Sequence, residues 1–413
     1  MRTCLLGFVA LFALAQEKPS FDEIMRLVRS ESADAGPALV AAMGEENLKT
    51  GKAVLYRGGE FVFAIRSTRE PLLVIDDESP RPMKRMGSND LWAGTATVRT
   101  STTHNFHYIV ANELFGGRTD VPAFGAYSYE RPGVPKGTLS EKMVHASKIY
   151  PGMTNDWWYY VPAQYDAAKP AAVMVWQDGQ GLVPREGQRA QIVFDNLTQE
   201  GKIPVIIHVF VSPGTANGRP LRSVQYDSVD DTYTRYILEE ILPQVAAKYK
   251  LRSDGYSRAI AGNSSGGICA FNAAWQKPDE FSRVLSRIGS FTSIQWKPGQ
   301  KDGGNIFPFA IRKQPKRNIR VWLQDGSGDL ENSHGSWPLQ NLAMANSLKM
   351  RDYDYHLSWG TGTHNGGHGN AELAEELTWL WRDYDPAKTS QDFTQDPSER
   401  GKPMWRVRAL NRE

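Results

Sequence analysis

Residues 258–276 read RAIAGNSSGGICAFNAAWQ. A short apolar strand, RAIAG, runs into a sharp small-residue turn, and a helix of small and apolar residues follows. Within it, Gly262-Asn263-Ser264-Ser265-Gly266 fits G-x-S-x-G in the strand–turn–helix setting that this pattern needs. A tight bend forces its central residue into a strained backbone conformation, and small neighbours at 262 and 266 keep side chains out of the crowded turn. The hydroxyl at 264 then stands at the carboxyl end of a sheet, where the helix N-terminus offers unpaired N–H groups to developing negative charge. Ser264 is the expected nucleophile, because Ser265 has Asn263 rather than glycine two residues before it. A glycine-rich turn that merely caps a helix is the bland alternative, and the flanking strand and helix argue against it.

The rhythm on either side agrees. AAVMVWQDG (171–179), IPVIIHVFV (203–211), RVLSRIG, IRVWLQD and DYHLSWG read as strands. Between them lie helical stretches: GQRAQIVFDNLTQEG, a long TYTRYILEEILPQVAAKY, CAFNAAW, one near WPLQNLAMANSLKM, and AELAEELTWLW. Near-continuous apolar strands alternating with helices predict a doubly wound, mostly parallel sheet covered on both faces.

A serine hydroxyl is a weak nucleophile until a base takes its proton, and an acid must orient that base. Two downstream loops offer these groups in the order Ser, Asp, His. The first, after IRVWLQ, is Asp325-Gly326-Ser327-Gly328-Asp329, followed by Glu331. Asp329 fits the acid better than Asp325, which sits at the strand edge, and Glu331 is a third choice. The second, after DYHLSWG, is Thr361-Gly362-Thr363-His364-Asn365-Gly366-Gly367-His368. His364 comes first after the strand and is the expected base; His368 is the alternative, or lines the pocket. The four-residue spacing of these histidines has a zinc reading, but Asn-Gly-Gly between them is poor helix and the Glu of H-E-x-x-H is missing. His104, His107 and His208 read as structural.

A tetrahedral intermediate needs two backbone donors. Ser265 N–H is one, and Gly179 or Gln180 in Asp178-Gly179-Gln180-Gly181 supplies the other. Arg222, Tyr226 and Asp227 lie between a strand and a helix and are expected at the rim, Arg222 facing a substrate carboxylate or Asp227. Trp337, just after the acid loop, is placed against a sugar or aromatic acyl group, with core packing as the alternative.

The 413-residue chain carries 48 Lys+Arg against 46 Asp+Glu, a net charge of +2, and has no basic block that points to nucleic acid. No apolar run reaches the ~18 residues of a membrane-spanning helix. Residues 1–15, MRTCLLGFVALFALA, read as a secretory signal peptide with the small-x-small pattern Ala13-Leu14-Ala15, which places the mature chain outside the cell or in the periplasm without a membrane anchor. Of 2 cysteines, Cys4 leaves with that peptide, so Cys269 stands alone as a buried thiol. Residues 16–50 carry short helical patterns. From 51 to 130, AVLYRG, EFVFAIRS, PLLVIDD, LWAGTATVR and NFHYIVAN read as strands of a β-sandwich. The Pro/Gly-rich YERPGVPKG leads into a catalytic segment over 131–390, and 391–413 is a polar tail.

The segments VWQDGQ, RSVQYD, RAIAGNSSGGICAFNAAWQKPDEFSRVLSRIGSF, RVWLQDGSGDLEN and GTHNGGHG, in that order over about 140–385, resemble the putative-esterase family, which includes enterochelin esterases and feruloyl esterases. The resemblance implies an α/β-hydrolase fold, a Ser264–Asp329–His364 triad, and the DGQ turn as part of an oxyanion hole. The β-rich segment ending in NFHYIVANELFGG is similar to the immunoglobulin-like early-set domain of enterochelin-esterase-like proteins. Gln225 stands in RSVQYD where family members often carry an acidic residue. The expected activity is that of a secreted serine carboxylic ester hydrolase working without cofactor or metal. Its expected substrate is a carbohydrate- or aromatic-acid-linked ester, foremost feruloyl or acetyl esters of plant polysaccharide. A siderophore trilactone is the second substrate class, and acyl transfer to a sugar is a third outcome of the same site. A carbohydrate-binding protein with a vestigial site, gripping glycan through Trp92, is the reading from another class.

Overall fold

The apolar runs pair side by side because each, buried on both faces, satisfies its backbone only in a ladder. The structure is a computed structural model describing residues 18–87, 90–299 and 303–403. The expected signal peptide at 1–15, with Cys4, lies outside the described residues. The chain forms two units, one holding the residues up to Val98 plus Phe106–Arg118, the other Arg99–Asn105 plus the chain from Thr119 onward.

The larger unit is built on β1 (Met153–Val161), β2 (Ala172–Gln177), β3 (Ile206–Val211), β4 (Arg258–Asn263), β5 (Arg283–Arg287), β6 (Arg320–Gly328) and β7 (Asp354–Thr363), in the spatial order β1-β3-β2-β4-β5-β6-β7. β1 runs antiparallel to β3, and the remaining neighbours are parallel. Short strands at Thr138–Leu139, Met143–Ala146 and Thr215–Ala216 add to the β1 edge.

Helices cover both faces. α1 (Ala190–Gln199) and α4 (Gly367–Leu380) pack Phe194, Leu197, Leu373 and Leu377 against Met174, Trp176, Phe210 and Trp322. On the opposite face, α2 (Ser265–Gln276) and α3 (Trp337–Met350) pack Ile268, Phe271, Met344 and Leu348 against Val173, Val175, Ile260 and Val321. Successive strand residues thus serve alternate cores, each fully buried aliphatic side chain contributing about 1.5–3 kcal/mol.

Two elements depart from the sequence reading. β1, MTNDWWYYV, was not among the expected strands: polar Thr154, Asn155 and Asp156 precede its aromatic half, so neither an alternating nor a continuous apolar pattern stands out. The single long helix expected over TYTRYILEEILPQVAAKY is instead Thr232–Tyr236, a π-type turn at Ile237–Ile241, and Leu242–Ala246. Pro243 has no N–H for a bond four residues back, so regular winding is interrupted there.

The smaller unit holds two four-stranded sheets, one ordered Ala53–Arg57, Glu60–Arg66, Leu91–Thr97, Lys84–Arg85, the other Arg81–Pro82, Pro71–Ile75, Thr102–Val110, Glu113–Ala123. Phe63 of the first sheet meets Phe106 of the second edge to face at 4.9 Å, and the buried Tyr108 hydroxyl donates to Ala64 O. Phe21–Arg29 and Ala35–Met43 bury Ile24, Leu27 and Leu39 with Val62, Ala64 and Leu91. The N-terminal helices thus share this unit's core, whereas the sequence reading set 16–50 apart. The division also falls within the strand pair Thr102–Val110 and Glu113–Ala123, not at residue 130: their outer ends, 99–105 and 119–123, belong to the larger unit.

Arg287, at the end of β5, fixes the sheet to α4. Its Nε donates to both oxygens of Glu376, at 2.9 and 3.0 Å, with side chains 4% and 0% exposed. Breaking such a pair leaves a buried charge uncompensated. Arg287→Met is expected to lower the unfolding free energy by about 3–5 kcal/mol, read by urea denaturation.

Candidate active site

The turn at Ser264 follows from two glycines. A Cβ on Gly262 would lie 2.5 Å from the carbonyl carbon of Gly266, closer than real Cβ atoms come, so the strand end and the helix start touch only as bare backbone. Ser264 between them takes φ 58°, ψ −122°, a conformation that costs roughly 1–3 kcal/mol. The fold holds it there: Ser264 N–H donates to Arg287 O at 2.9 Å, and Ser264 O accepts from Ser290 N–H at 3.1 Å.

β6 and β7 bring the other groups. Their pairing runs past the sheet body, with an irregularity between Gly326 and Gly328, to a last pair of Gly328 and Thr363. The next residue on each strand is Asp329 or His364, so register makes them neighbours. Gly326 is required in this approach, since a Cβ there would lie 2.5 Å from Gly362 O.

The three side chains form an unbroken hydrogen-bonded chain. Ser264 Oγ lies 2.8 Å from His364 Nε2, and His364 Nδ1 lies 2.5 Å from Asp329 Oδ1. The Asp329 side chain is 0% exposed and its Oδ1 also accepts from Leu330 N–H, so it is the acceptor and Nδ1 carries the proton. Nε2 is then free to accept the Ser264 proton. Asp325 and His368, the alternative acid and base, stand outside this chain.

Three residues not singled out in the sequence reading, or given another place by it, support the chain. Asp120 accepts from Thr363 N–H on both oxygens at 3.1 Å, and from the Thr363 hydroxyl and the Asn365 amide, so it grips the residues on both sides of His364. Ser290 Oγ lies 3.2 Å from Ser264 Oγ and accepts from Trp337 Nε1 at 3.0 Å. Trp337 is buried and meets the His364 ring edge to face at 5.5 Å. Its expected contact with substrate is corrected accordingly: the indole is spent on Ser290 and the imidazole.

His368 is likewise buried, with Glu372 and Gln324 each at 3.3 Å, so it braces α4 rather than lining a pocket. Tyr226, expected at the rim, is buried, and its hydroxyl accepts from Asp178 N–H at 3.3 Å. Arg222 does not pair with Asp227. It binds Asp178 bidentately, Nε to Oδ1 at 2.8 Å and Nη2 to Oδ2 at 2.7 Å, and Nη2 also reaches Asn263 O at 3.5 Å. Asp227 accepts from the Ser223 hydroxyl, and burial pushes its carboxyl above the ordinary range. Gln225 is buried and accepts from Gly214 N–H at 2.6 Å.

Arg222 therefore ties the 178–180 turn to the serine turn. Asp178 is left-handed at φ 53°, and Gly179 packs so closely that a Cβ would lie 2.4 Å from Val211 N. A Cβ on Gly266 would lie 3.3 Å from Asp178 Oδ2. The first turn of α2, whose leading N–H groups have no partner within the helix, thus faces the turn that carries Gly179 and Gln180.

Val224, Trp296 and Leu330, each next in the chain to a residue that bonds within this network, are large apolar side chains left exposed, at 48%, 42% and 40%. The Trp296 loop is tied in by Gln295, which donates to Ser223 Oγ at 2.8 Å. Cys269 is buried, which pushes its thiol well above its ordinary pKa and makes it inert. Among the described residues, no cluster of three or more His, Cys, Asp or Glu is arranged to hold a metal ion, and no helix is long and apolar enough to cross a membrane.

Comparison with known proteins gives one family: the model described as Putative esterase matches residues 156–380. An endo-1,4-beta-xylanase/feruloyl esterase of Xylanibacter ruminicola is 26% identical over 160 residues, which are 39% of this chain and 19% of that protein. The chain thus spans about a fifth of that relative's length. The enterobactin esterase of Shigella flexneri has a similar fold, with 15% identity, a TM-score of 0.53, and coverage of 81% of this chain and 97% of that one. The ferric enterobactin esterase of Salmonella typhimurium gives 17%, 0.51, 81% and 97%.

The Asp120 grip generates a prediction. Asp120→Ala is expected to lower kcat for a chromogenic short-chain ester by about 10²-fold with little change in KM, because the imidazole loses its placement while the serine turn is untouched.

Proposed function

We propose that this chain, which belongs to the Putative esterase family, is a serine carboxylic ester hydrolase working through an acyl-enzyme on Ser264. The observation that carries this reading is the Ser264–His364–Asp329 hydrogen-bonded chain at a strained serine turn. Ser264 Oγ attacks the ester carbonyl carbon as His364 Nε2 takes its proton. Asp329 holds the imidazole in the required tautomer and stabilises its charged form. Negative charge on the carbonyl oxygen is met by Ser265 N–H together with Gly179 or Gln180 N–H, each worth about 3–4 kcal/mol of barrier. The intermediate collapses, the alcohol leaves with the proton from His364, and water activated by the same imidazole releases the acid.

The substrate class we infer is a feruloyl or acetyl ester of plant polysaccharide. Its support is the feruloyl esterase activity named for the Xylanibacter ruminicola relative, together with the exposed side chains of Leu330, next in the chain to Asp329, and Trp296, next to the Gln295 that bonds Ser223; both offer apolar surface to an aromatic acyl group. Residues 1–15 support secretion, through their charged start, apolar run and small-residue end. The two four-stranded sheets of the smaller unit support an immunoglobulin-like early-set assignment.

Ser264→Ala is expected to lower kcat roughly 10⁶-fold while leaving the melting curve in place; unchanged turnover would sink the assignment. On a panel of methyl ferulate, acetylated xylan and a ferric catecholate trilactone, the first two are expected to be cleaved and the third spared. Preference for the trilactone would transfer the substrate to the siderophore class. Trp296→Ala is expected to raise KM for methyl ferulate about tenfold and leave that for an acetyl ester unchanged.

A further inference from the structure

Behind the acid lies a second carboxyl. Asp325, 0% exposed, lies near the end of the buried part of β6, and the Asp329 side chain is also 0% exposed. Asp329 Oδ1 takes its donors from His364 and Leu330 N–H, but its Oδ2 is buried with no donor. Asp325 mirrors it: Oδ1 accepts from Gly326 N–H at 2.7 Å, and Oδ2 is buried without a donor. The two residues are joined by a tight turn in which Asp329 N–H donates to Gly326 O at 3.2 Å, and Asp329 is the charged group that bears most on the Asp325 carboxyl. Two acceptors cannot bond without a proton, and two buried like charges in contact do not both ionise.

We propose that Asp325 is held as a neutral carboxylic acid whose hydroxyl donates to Asp329 Oδ2, making it a positioning residue for Asp329 and, through it, for His364. The proton belongs on Asp325 because Asp329 already takes two donors where Asp325 takes one. Among the described residues no ion pair joins Asp325 to a cation: the Gly326 N–H donates to it, the Asn341 side chain of α3 lies near it with its amide spent on Gly289 O and Trp337 O, and Trp359 is its partner on β7. His364 stands beyond Asp329. Burial, then the contact with Asp329, push the Asp325 carboxyl up to about 9. The shift is upward, so the proton stays on through neutral pH and leaves as pH rises through that value. Its loss puts a second negative charge behind the acid and removes the donor that fixes it.

This inference rests on the triad reading above, and the isostere separates the two. An Asn at 325 keeps an N–H donor and cannot ionise; a Leu keeps neither donor nor acceptor. Asp325→Asn is expected to hold kcat within about threefold of the parent, and Asp325→Leu to lose about 10- to 100-fold, KM being little changed in both. The parent is expected to lose kcat/KM above about pH 9, and Asp325→Asn is expected to lack that fall. Thermal melts on both variants guard against misfolding, and the Asn variant alone decides should the Leu variant fail to fold. Activity in Asp325→Asn reduced as far as in a folded Asp325→Leu, or an alkaline limb identical to the parent's, would overturn the proposal. Failure of the underlying reading would show separately, as turnover surviving in Ser264→Ala.

Discussion

The backbone crossing of Gly262 and Gly266 is the constraint on which the site depends. A strand and a helix meet there at a separation that admits no Cβ. The residue between them has no relaxed conformation available, and its hydroxyl is thrust out of the sheet. The strain is a small fraction of what the two apolar layers contribute. Arg287 shows how the fold meets it: its carbonyl takes the Ser264 N–H, while its side chain is buried against Glu376 on α4. The turn is thereby tied to the helix that follows the histidine loop.

Register is the second constraint. Because Gly328 pairs with Thr363, two loops from adjacent parallel strands leave the sheet in step, and an acid and an imidazole meet without any long-range search. Asp120 then fixes the histidine loop from the side, and Arg222 fixes the 178–180 turn against the serine turn. The Ser264, His364 and Asp329 side chains are placed by hydrogen bonds to backbone and by buried ion pairs, with little left to side-chain freedom. This is the preorganisation that favours a developing charge over the water it displaces.

Much of this was legible in the chain. The serine turn, the strands around it and the order of the acid and histidine loops could be read because each is local: glycine spacing, an apolar run, a loop just past a strand. What could not be read is what depends on contact at a distance. Asp120 stands 243 positions from Thr363, in a stretch that reads as the end of a β-rich segment. Trp337, Tyr226 and His368 lie close in sequence to the motifs and were given to the substrate, yet all three are buried. Residue type and loop position do not say which way a side chain turns. β1 is not legible in the chain because Thr154, Asn155 and Asp156 interrupt its pattern, and its burial comes from its neighbours rather than from its own composition.

The central claim is that the Ser264 hydroxyl is a nucleophile activated by His364. Intact-protein and peptide mass spectrometry after brief exposure to a fluorophosphonate test it most directly. The account predicts one adduct per chain, on the peptide bearing Ser264, formed far more slowly when His364 is replaced by alanine. An unlabelled chain, an adduct on another residue, or labelling at the same rate without His364 would contradict it.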